Sequence, residues 1–168
     1  MSRRARVLLV ALVACAASAL GWWFGEQRRA ADTPYRVVDV LDGDTIVVRR
    51  DGGDDETIRM LGVDTPETHH PTQPVECFGP EASAFTSRHL FGRVVTLEAD
   101  VEARDVYDRR LAYVYVDGDR FNDVLLRRGF ARLFVIEPNR AHARTMLDAE
   151  LAAEQHGRGL WDACAPQT

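Results

Sequence analysis

Two acidic stretches and two arginines in this chain have the residue types and spacing for chemistry on a phosphate. Residues 42–45 read Asp-Gly-Asp-Thr and residues 63–68 read Val-Asp-Thr-Pro-Glu-Thr, with Arg59 between them and Arg109 further downstream. Carboxylate oxygens are the ligands that a hard divalent cation prefers, and a further carboxylate supplies a base. Guanidinium groups bind phosphate oxygens through paired hydrogen bonds. Together these groups predict hydrolysis of a phosphodiester.

A tight turn is the simpler interpretation of the Asp-Gly-Asp sequence, which occurs at residues 42–44 and again at 117–119. Asp and Gly favour turns, and neither copy has the further oxygen ligands and closing glutamate of an EF-hand. The first copy differs because Asp64 and Glu67 follow it within one group of predicted strands. We therefore expect a metal site at the first copy and a hairpin turn at the second.

The net charge excludes binding of a polyanion through a broad basic surface. The chain has no lysine, so its 21 basic residues are all arginine. From residue 31 onward 16 arginines face 25 acidic residues, because five arginines and one glutamate come earlier. Proteins that bind nucleic acid by general charge attraction are basic. Attraction for a polyanion must here be local, around a metal ion and a few arginines.

The N-terminal segment, residues 1–25, has the composition of an export signal. Arginines precede a mostly apolar run, residues 7–24, which as a helix would reach roughly 27 Å and just cross a bilayer core. Aromatic residues 22–24 favour an uncleaved anchor that places the body outside the membrane. Two alternatives stay open: a lipoprotein with its lipid on Cys15, and a signal peptide cleaved near that residue. We expect a cell-envelope protein, membrane-anchored and facing outside, or a secreted one.

After a polar linker, residues 26–34, the body alternates β-branched stretches with turn residues, which predicts strands. Residues 64–78 are polar and rich in proline, and an ordered loop of this length usually has a function. The predicted strands span residues 35–41, 45–50, 56–61, 93–98 and 111–116, with a short hairpin partner at 120–121.

Three helices are predicted, the first opening on a glycine and a proline. Asn122 is expected to cap the second helix. Five strands with one helix in the middle and two late predict an α+β domain, a small β-barrel with helices packed on it. The helices span residues 79–91, 123–128 and 141–156, with inward residues Ala82, Phe85, Leu90, Met146, Leu147 and Leu151.

Cys77 and Cys164 are the cysteines outside the N-terminal segment. In an exported domain two such cysteines are expected to form a disulfide. It would close a loop of roughly 88 residues, which the chain-entropy model values at about 4–5 kcal/mol. Two free buried thiols are the alternative.

Four stretches, in chain order, resemble the thermonuclease (staphylococcal nuclease) family: residues 42–45, 58–68, 78–85 and 107–115. The resemblance runs in the same order over residues 35–161. It implies an OB-type five-stranded β-barrel with three helices, here a domain at residues 35–165. It also implies a Ca²⁺-dependent nuclease that cleaves DNA, preferably single-stranded, and RNA, leaving 3′-phosphate and 5′-hydroxyl ends.

The resemblance implies roles for individual residues. Asp44 and Asp64 correspond to carboxylate ligands of Ca²⁺, and the carbonyl of Thr65 to a further ligand. Glu67 corresponds to the residue that orients or deprotonates the attacking water.

Arginines and aromatic residues would meet the substrate. Arg59 and Arg109 correspond to the pair that binds the scissile phosphate, and Tyr107 to an aromatic residue at a terminal phosphate. Phe134 is a candidate for stacking on a base. Val106 departs from the family, whose well-studied member has a phosphate-contacting lysine there.

Two other functions remain open at the level of sequence. One is a catalytically weak nucleic-acid-binding module of the same OB fold, which would have lost acidic and arginine side chains that this chain retains. The other is a calcium-binding envelope domain, which explains neither Arg59 nor Arg109. We expect a monomer whose partners are DNA, RNA and, through residues 7–24 or a lipid on Cys15, a membrane.

Overall fold

Strands dominate the first two-thirds of the body in the computed structural model, which describes residues 33–68 and 74–164. The predicted export segment, including Cys15, lies outside the described residues. The strands are β1 Tyr35–Val40, β2 Thr45–Arg49, β3 Asp55–Met60, β4 Gly62–Asp64, β5 Val94–Glu98, β6 Arg110–Val116, β7 Asp119–Arg120 and β8 Arg132–Phe134.

Five of these strands close into a barrel. Strands β3, β2, β1, β5 and β6 are neighbours in that order, and β3 also pairs with β6. The neighbouring pairs are antiparallel, whereas β3 and β6 run parallel, with Arg59 opposite Leu111. This closure confirms the predicted five-stranded barrel of an α+β fold.

Helices pack around the barrel and carry glycine or proline where their ends require it. The first helix follows a left-handed Phe78 and has proline in its first turn, while Gly129 ends the second with a φ of 73°. The helices are α1 Gly79–Leu90, α2 Phe121–Arg128, α3 Ala143–Gln155 and α4 Leu160–Ala163. Three correspond to predicted helices, and the short α4 was not predicted.

The core lies inside the barrel and between the barrel and its helices. Burying it provides the main stabilisation of the fold, at about 25 cal/mol per Å² of apolar surface. The predicted inward residues of α1, Ala82, Phe85 and Leu90, are buried, as is Met146 of α3. The largest fully buried aliphatic side chains include Ile46, Ile58, Met60, Leu61, Leu111, Leu125 and Leu126.

The sequence prediction was wrong about one face of α3. Leu147 and Leu151 are 39% and 41% exposed. The buried face instead presents Met146 and the small side chains of Ala149 and Ala153, which follow helical spacing. Alanines at the contact let α3 lie close to its neighbours, and the two leucines fall on the flank.

Asn122 was also assigned wrongly, since it lies inside α2 rather than before it. Its side chain is buried, donates to the carbonyl of Leu61 at 2.8 Å and accepts from the N–H of Val114 at 2.9 Å. Asn122 therefore joins α2 to the end of β3 and to β6. The predicted hairpin partner at residues 120–121 is β7, one residue earlier, because Phe121 already begins the helix.

A disulfide joins Cys77 to Cys164, as predicted, across a sequence separation of 87 residues. It fastens the residue after α4 to the segment that leads into α1. Within residues 33–68 and 74–164, no helix has the length and apolar character needed to cross a membrane.

Candidate active site

The turn between β1 and β2 carries Asp44 and is held from two sides. The N–H of Asp44 donates to Asp42 Oδ1 at 3.1 Å, which closes the turn. The hydroxyl of Thr86 on α1 donates to the carbonyl of Gly43 at 2.6 Å. A Cβ on Gly43 would lie 2.7 Å from side-chain atoms of Thr65, so glycine is required for this approach.

The Asp44 carboxylate is buried within a ring of donors. Oδ1 accepts from the hydroxyl of Thr45 at 3.1 Å, and Oδ2 accepts from the N–H of Thr65 at 2.9 Å. Arg59 Nη1 lies 3.1 Å from the same Oδ2. These contacts fix the orientation of the carboxylate and bring it next to the strand that ends at Asp64.

Arg59 joins the two aspartates of the site. Its guanidinium is buried, with Nη1 donating to the carbonyls of Met60 at 3.0 Å and Val63 at 2.7 Å. Nη2 donates to Asp64 Oδ1 at 2.8 Å. Arg59 therefore sets the separation of Asp44 and Asp64, and the Asp64 side chain remains 56% exposed.

The loop that carries Glu67 is fixed by its backbone. Its N–H donates to Glu76 Oε2 at 3.1 Å, and its carbonyl accepts from the N–H of Glu76 at 3.0 Å. A Cβ on Gly79 would lie 2.8 Å from the carbonyl oxygen of Glu67 and 2.9 Å from that of Pro66. The glycine that opens α1 is thus needed for the helix to approach the loop.

The electrostatic environment of Asp44 and Glu67 is dominated by burial and by neighbouring acidic residues. Burial raises the pKa of Asp44 above its usual range, and the charges of Asp42 and Asp64 push the pKa the same way, against Arg59. Burial likewise raises the pKa of Glu67, assisted by Asp42, Asp64 and the nearby Glu76. Negative charge therefore exceeds positive charge in this cluster, because the single charge of Arg59 opposes the charges of several acidic residues.

These residues fit a hard cation bound through oxygen. Asp44 and Asp64 offer carboxylate oxygens beside the backbone of Thr65, and their mutual repulsion is what a divalent cation would relieve. Within the described residues, no three Asp, Glu, His or Cys side chains form a complete ligand group. Calcium suits such a site because it takes six to eight oxygen ligands, water among them.

The second predicted arginine, Arg109, lies outside the carboxylate cluster. Its Nε donates to Asp105 Oδ2 at 2.7 Å, and Asp105 Oδ1 accepts from the backbone N–H groups of Arg109 and Tyr107, both at 2.9 Å. Arg109 directly precedes β6, two residues before the partner of Arg59 in the parallel pair. It lines an open cleft of about 530 Å³ together with Tyr107.

The two predicted aromatic contacts are accessible. Tyr107 is 77% exposed, with the guanidinium of Arg109 5.4 Å from its ring centroid. Phe134 is 50% exposed and lies in β8, opposite Gly62 of β4. Both are free to meet a ligand from solvent.

This chain is similar to known proteins over most of its length. A family model described as staphylococcal nuclease homologue matches residues 57–163. The chain is 42% identical over 132 residues to a thermonuclease of Staphylococcus hyicus, covering 79% of this chain and 78% of that protein. This chain belongs to the staphylococcal nuclease family.

Two further members of the family are similar to this chain over most of its length. A thermonuclease of Staphylococcus intermedius is 41% identical over 128 residues, covering 76% of each chain. Endonuclease YncB of Bacillus subtilis (strain 168) is 36% identical over 150 residues, covering 82% of this chain and 71% of that protein. Membership of the staphylococcal nuclease family supports a nuclease.

Two residues of this family member's site escaped the sequence analysis. Asp42 was part of the first acidic stretch but was given no role of its own, although its charge acts on both Asp44 and Glu67. Asp105 was passed over, although it holds Arg109. Its position four residues before an arginine, between two predicted strands, was the available signal, and that signal is weak when the conformation of the segment is unknown.

Proposed function

We propose that this chain is a Ca²⁺-dependent nuclease that hydrolyses phosphodiester bonds of DNA, preferably single-stranded, and of RNA. The products carry 3′-phosphate and 5′-hydroxyl ends, so water attacks phosphorus and the bond to the 5′-oxygen breaks. The observation that supports this most is the buried Asp44–Arg59–Asp64 arrangement with Glu67 coupled to it, in a chain of the staphylococcal nuclease family.

Glu67 is the general base of this proposal. A base must be near the attacking water and must hold its proton more tightly than an ordinary carboxylate at the moment of attack. Burial and the neighbouring acidic residues raise the pKa of Glu67, which makes it a stronger base than a solvated glutamate. Its fixed backbone keeps the carboxylate beside the cluster.

Arg59 and Arg109 bind the phosphate and stabilise the charge that develops on it. Two carbonyls and the Asp64 carboxylate occupy three of the five N–H groups of Arg59, which leaves Nε–H and one Nη2 hydrogen for a phosphate oxygen. Arg109 uses Nε for Asp105, so its terminal nitrogens remain for the substrate. Tyr107 and Phe134 supply aromatic contacts to the strand.

Asp44, Asp64 and the carbonyl of Thr65 are the residues that would hold the cation. When bound, Ca²⁺ supplies positive charge that polarises a phosphate oxygen. The chain itself contributes the rigid ring of donors around Asp44, which orients the carboxylate before any ligand arrives.

We also propose that residues 1–25 export the domain and anchor it outside the membrane, with a lipid on Cys15 or cleavage as alternatives. The Cys77–Cys164 disulfide supports an oxidising location. Mass spectrometry of the membrane-fraction protein tests this: an intact N-terminus supports the anchor, whereas a mature chain starting at acylated Cys15 overturns it.

A digest of a labelled single-stranded oligonucleotide tests the enzymatic proposal. Three reactions are compared: wild type with Ca²⁺, wild type with EDTA, and Glu67→Gln with Ca²⁺. We expect cleavage in the first alone, with kcat of Glu67→Gln reduced by about 10²–10⁴. End-group analysis should find 3′-phosphates. Equal cleavage in all three removes the mechanism, and binding without cleavage in any favours the nucleic-acid-binding module.

A further inference from the structure

A third arginine lies beside the carboxylate cluster, in the two-stranded ribbon of β4 and β8. Asp64 and Arg132 are directly opposite each other in this antiparallel ribbon, and such residues project to the same face with Cβ atoms about 5 Å apart. The alternate residues Val63 and Leu133 face the core. Asp64 and Arg132 are both exposed and therefore share the solvent face.

The guanidinium of Arg132 has hydrogen-bond donors to spare. In the part of the chain that the structure describes it makes no hydrogen bond or ion pair, even though the Asp64 carboxylate lies across the ribbon. Its Cζ lies 4.3 Å from the ring centroid of Trp161. Arg59, by contrast, already donates to Val63 and Asp64, and Arg109 donates to Asp105.

Trp161 is a fixed support for this arginine. It lies in α4, where the N–H of Leu160 donates to the carbonyl of Gly129 at 2.8 Å. The next residue after α4, Cys164, is bonded to Cys77. The helix is thus tied both to the segment that leads into β8 and to the loop that follows the carboxylate cluster, and these ties fix the backbone that carries Trp161.

We propose that Arg132, supported by Trp161, binds a backbone phosphate of the single-stranded substrate next to the scissile bond. This rests on the proposed function, since it assumes that the strand passes over Asp64. A guanidinium stacked on an aromatic face keeps the N–H groups at its edge free for a ligand. Because the body of the protein is acidic, binding of a polyanion depends on each local phosphate contact. Arg132 is a binding residue, whereas Glu67 and the arginines already described act on the reacting phosphate.

The test measures the salt dependence of binding. Fluorescence anisotropy of a labelled single-stranded DNA oligonucleotide is recorded with Ca²⁺ and Glu67→Gln protein, so that the probe stays intact. Each phosphate contact contributes about 0.7 to the slope of log affinity against log salt for single strands. Arg132→Gln should lower that slope by about 0.7 and weaken binding roughly tenfold. Arg132→Lys should retain the slope, because it keeps the charge.

Arg88→Gln is the matched control, because Arg88 is an exposed arginine of α1 remote in sequence from the ribbon. It should leave slope and affinity unchanged, and urea unfolding of each variant checks that the fold is intact.

If Arg132→Gln behaves as Arg88→Gln does while wild type cleaves with Ca²⁺, the Arg132 contact is wrong and the nuclease proposal stands. If the Arg132 effect is present but wild type does not cleave, the contact stands and the hydrolytic proposal falls. If the Glu67→Gln parent binds no single-stranded DNA, the Arg132 contact is wrong, and cleavage by wild type with Ca²⁺ alone decides the nuclease proposal.

Discussion

Arg59 shows how a single side chain serves both fold and chemistry. Its guanidinium links the turn after β1, through Asp44, to the strand end that carries Asp64. Removing one partner of a buried ion pair leaves the other charge without compensation, which is costly. Stability and activity should therefore respond together at this residue.

Replacing Arg59 by glutamine should destabilise the domain by about 3 kcal/mol, because Asp44 stays buried without its counter-charge. Urea unfolding measures the loss, and the oligonucleotide digest should show reduced kcat. Arg49→Gln is the control, since Arg49 pairs with Asp55 at an exposed position where ion pairs contribute little. Equal stability of the two variants would contradict this role of Arg59.

The contribution of the Asp105 carboxylate, which holds Arg109, can be tested through the pH dependence of stability. Burial alone would raise its pKa, but hydrogen bonds from Arg109 and from the N–H of Tyr107 lower it below the usual value. The charged carboxylate therefore stabilises the fold above the unfolded-state pKa of about 3.9, and this contribution disappears as pH falls through the lower folded-state pKa.

Asp105→Asn should accordingly be less stable than wild type at neutral pH, and the gap should close in strong acid. Urea unfolding at a series of pH values measures it. The variant should also cleave more slowly at neutral pH, since the guanidinium of Arg109 loses its support. A stability gap that is independent of pH would show that the Asp105 charge contributes nothing.

At the scale of elements, the strands and helices with strong local signals were predictable. β-branched residues alternating with Asp-Gly turns give β1 to β3, and a glycine and proline open α1. The ribbon of β4 and β8 was not predictable, because each strand has three residues and its pairing spans a distance along the chain that no local pattern reveals. Phe134 was predicted as an aromatic contact without this ribbon.

The site residues also divide into those that the sequence could predict and those that it could not. Asp44, Asp64 and Glu67 could be named from motif and spacing, because the chemistry of carboxylates is visible in sequence. The partnership of Arg132 with Trp161 could not, since it depends on α4 lying against the segment before β8. Leu147 and Leu151 were placed in the core because helical spacing alone does not distinguish a buried face from its flank.

Gly79 begins α1 and lies against the backbone of the loop that carries Glu67. Gly79→Ala would place a Cβ 2.8 Å from the carbonyl of Glu67, so either α1 or the loop must shift. We expect a loss of about 1–3 kcal/mol in stability and a lower kcat as Glu67 moves. Urea unfolding and the digest measure both.

Gly53→Ala is the control for that substitution, because its Cβ would meet Arg50 only at an ordinary 3.5 Å. It should leave stability and kcat close to those of wild type. Full activity in Gly79→Ala would mean that the position of the loop does not depend on the approach of α1.

At the scale of the whole molecule, the disulfide between Cys77 and Cys164 closes a long stretch of the chain into a covalent loop. The separation of 87 residues predicts a loss of about 4–5 kcal/mol when Cys77 and Cys164 are both replaced by serine. Thermal unfolding measures it, and reduction of wild type should lower its midpoint similarly. Cys15→Ser, outside the barrel domain, should leave the midpoint unchanged, and an unchanged midpoint in the double variant would contradict the prediction.

The parallel pairing of β3 with β6 places the strand of Arg59 beside the strand that Arg109 directly precedes. Arg59 and Arg109 come from segments that become neighbours through this pairing, so under the proposed mechanism an unfolded polypeptide holds both arginines without the arrangement that binds a phosphate. A truncated product that ends before Arg109 has no second arginine to contribute. Under the proposed function, cleavage of nucleic acid therefore requires the closed barrel, and activity begins with completed folding and not with synthesis.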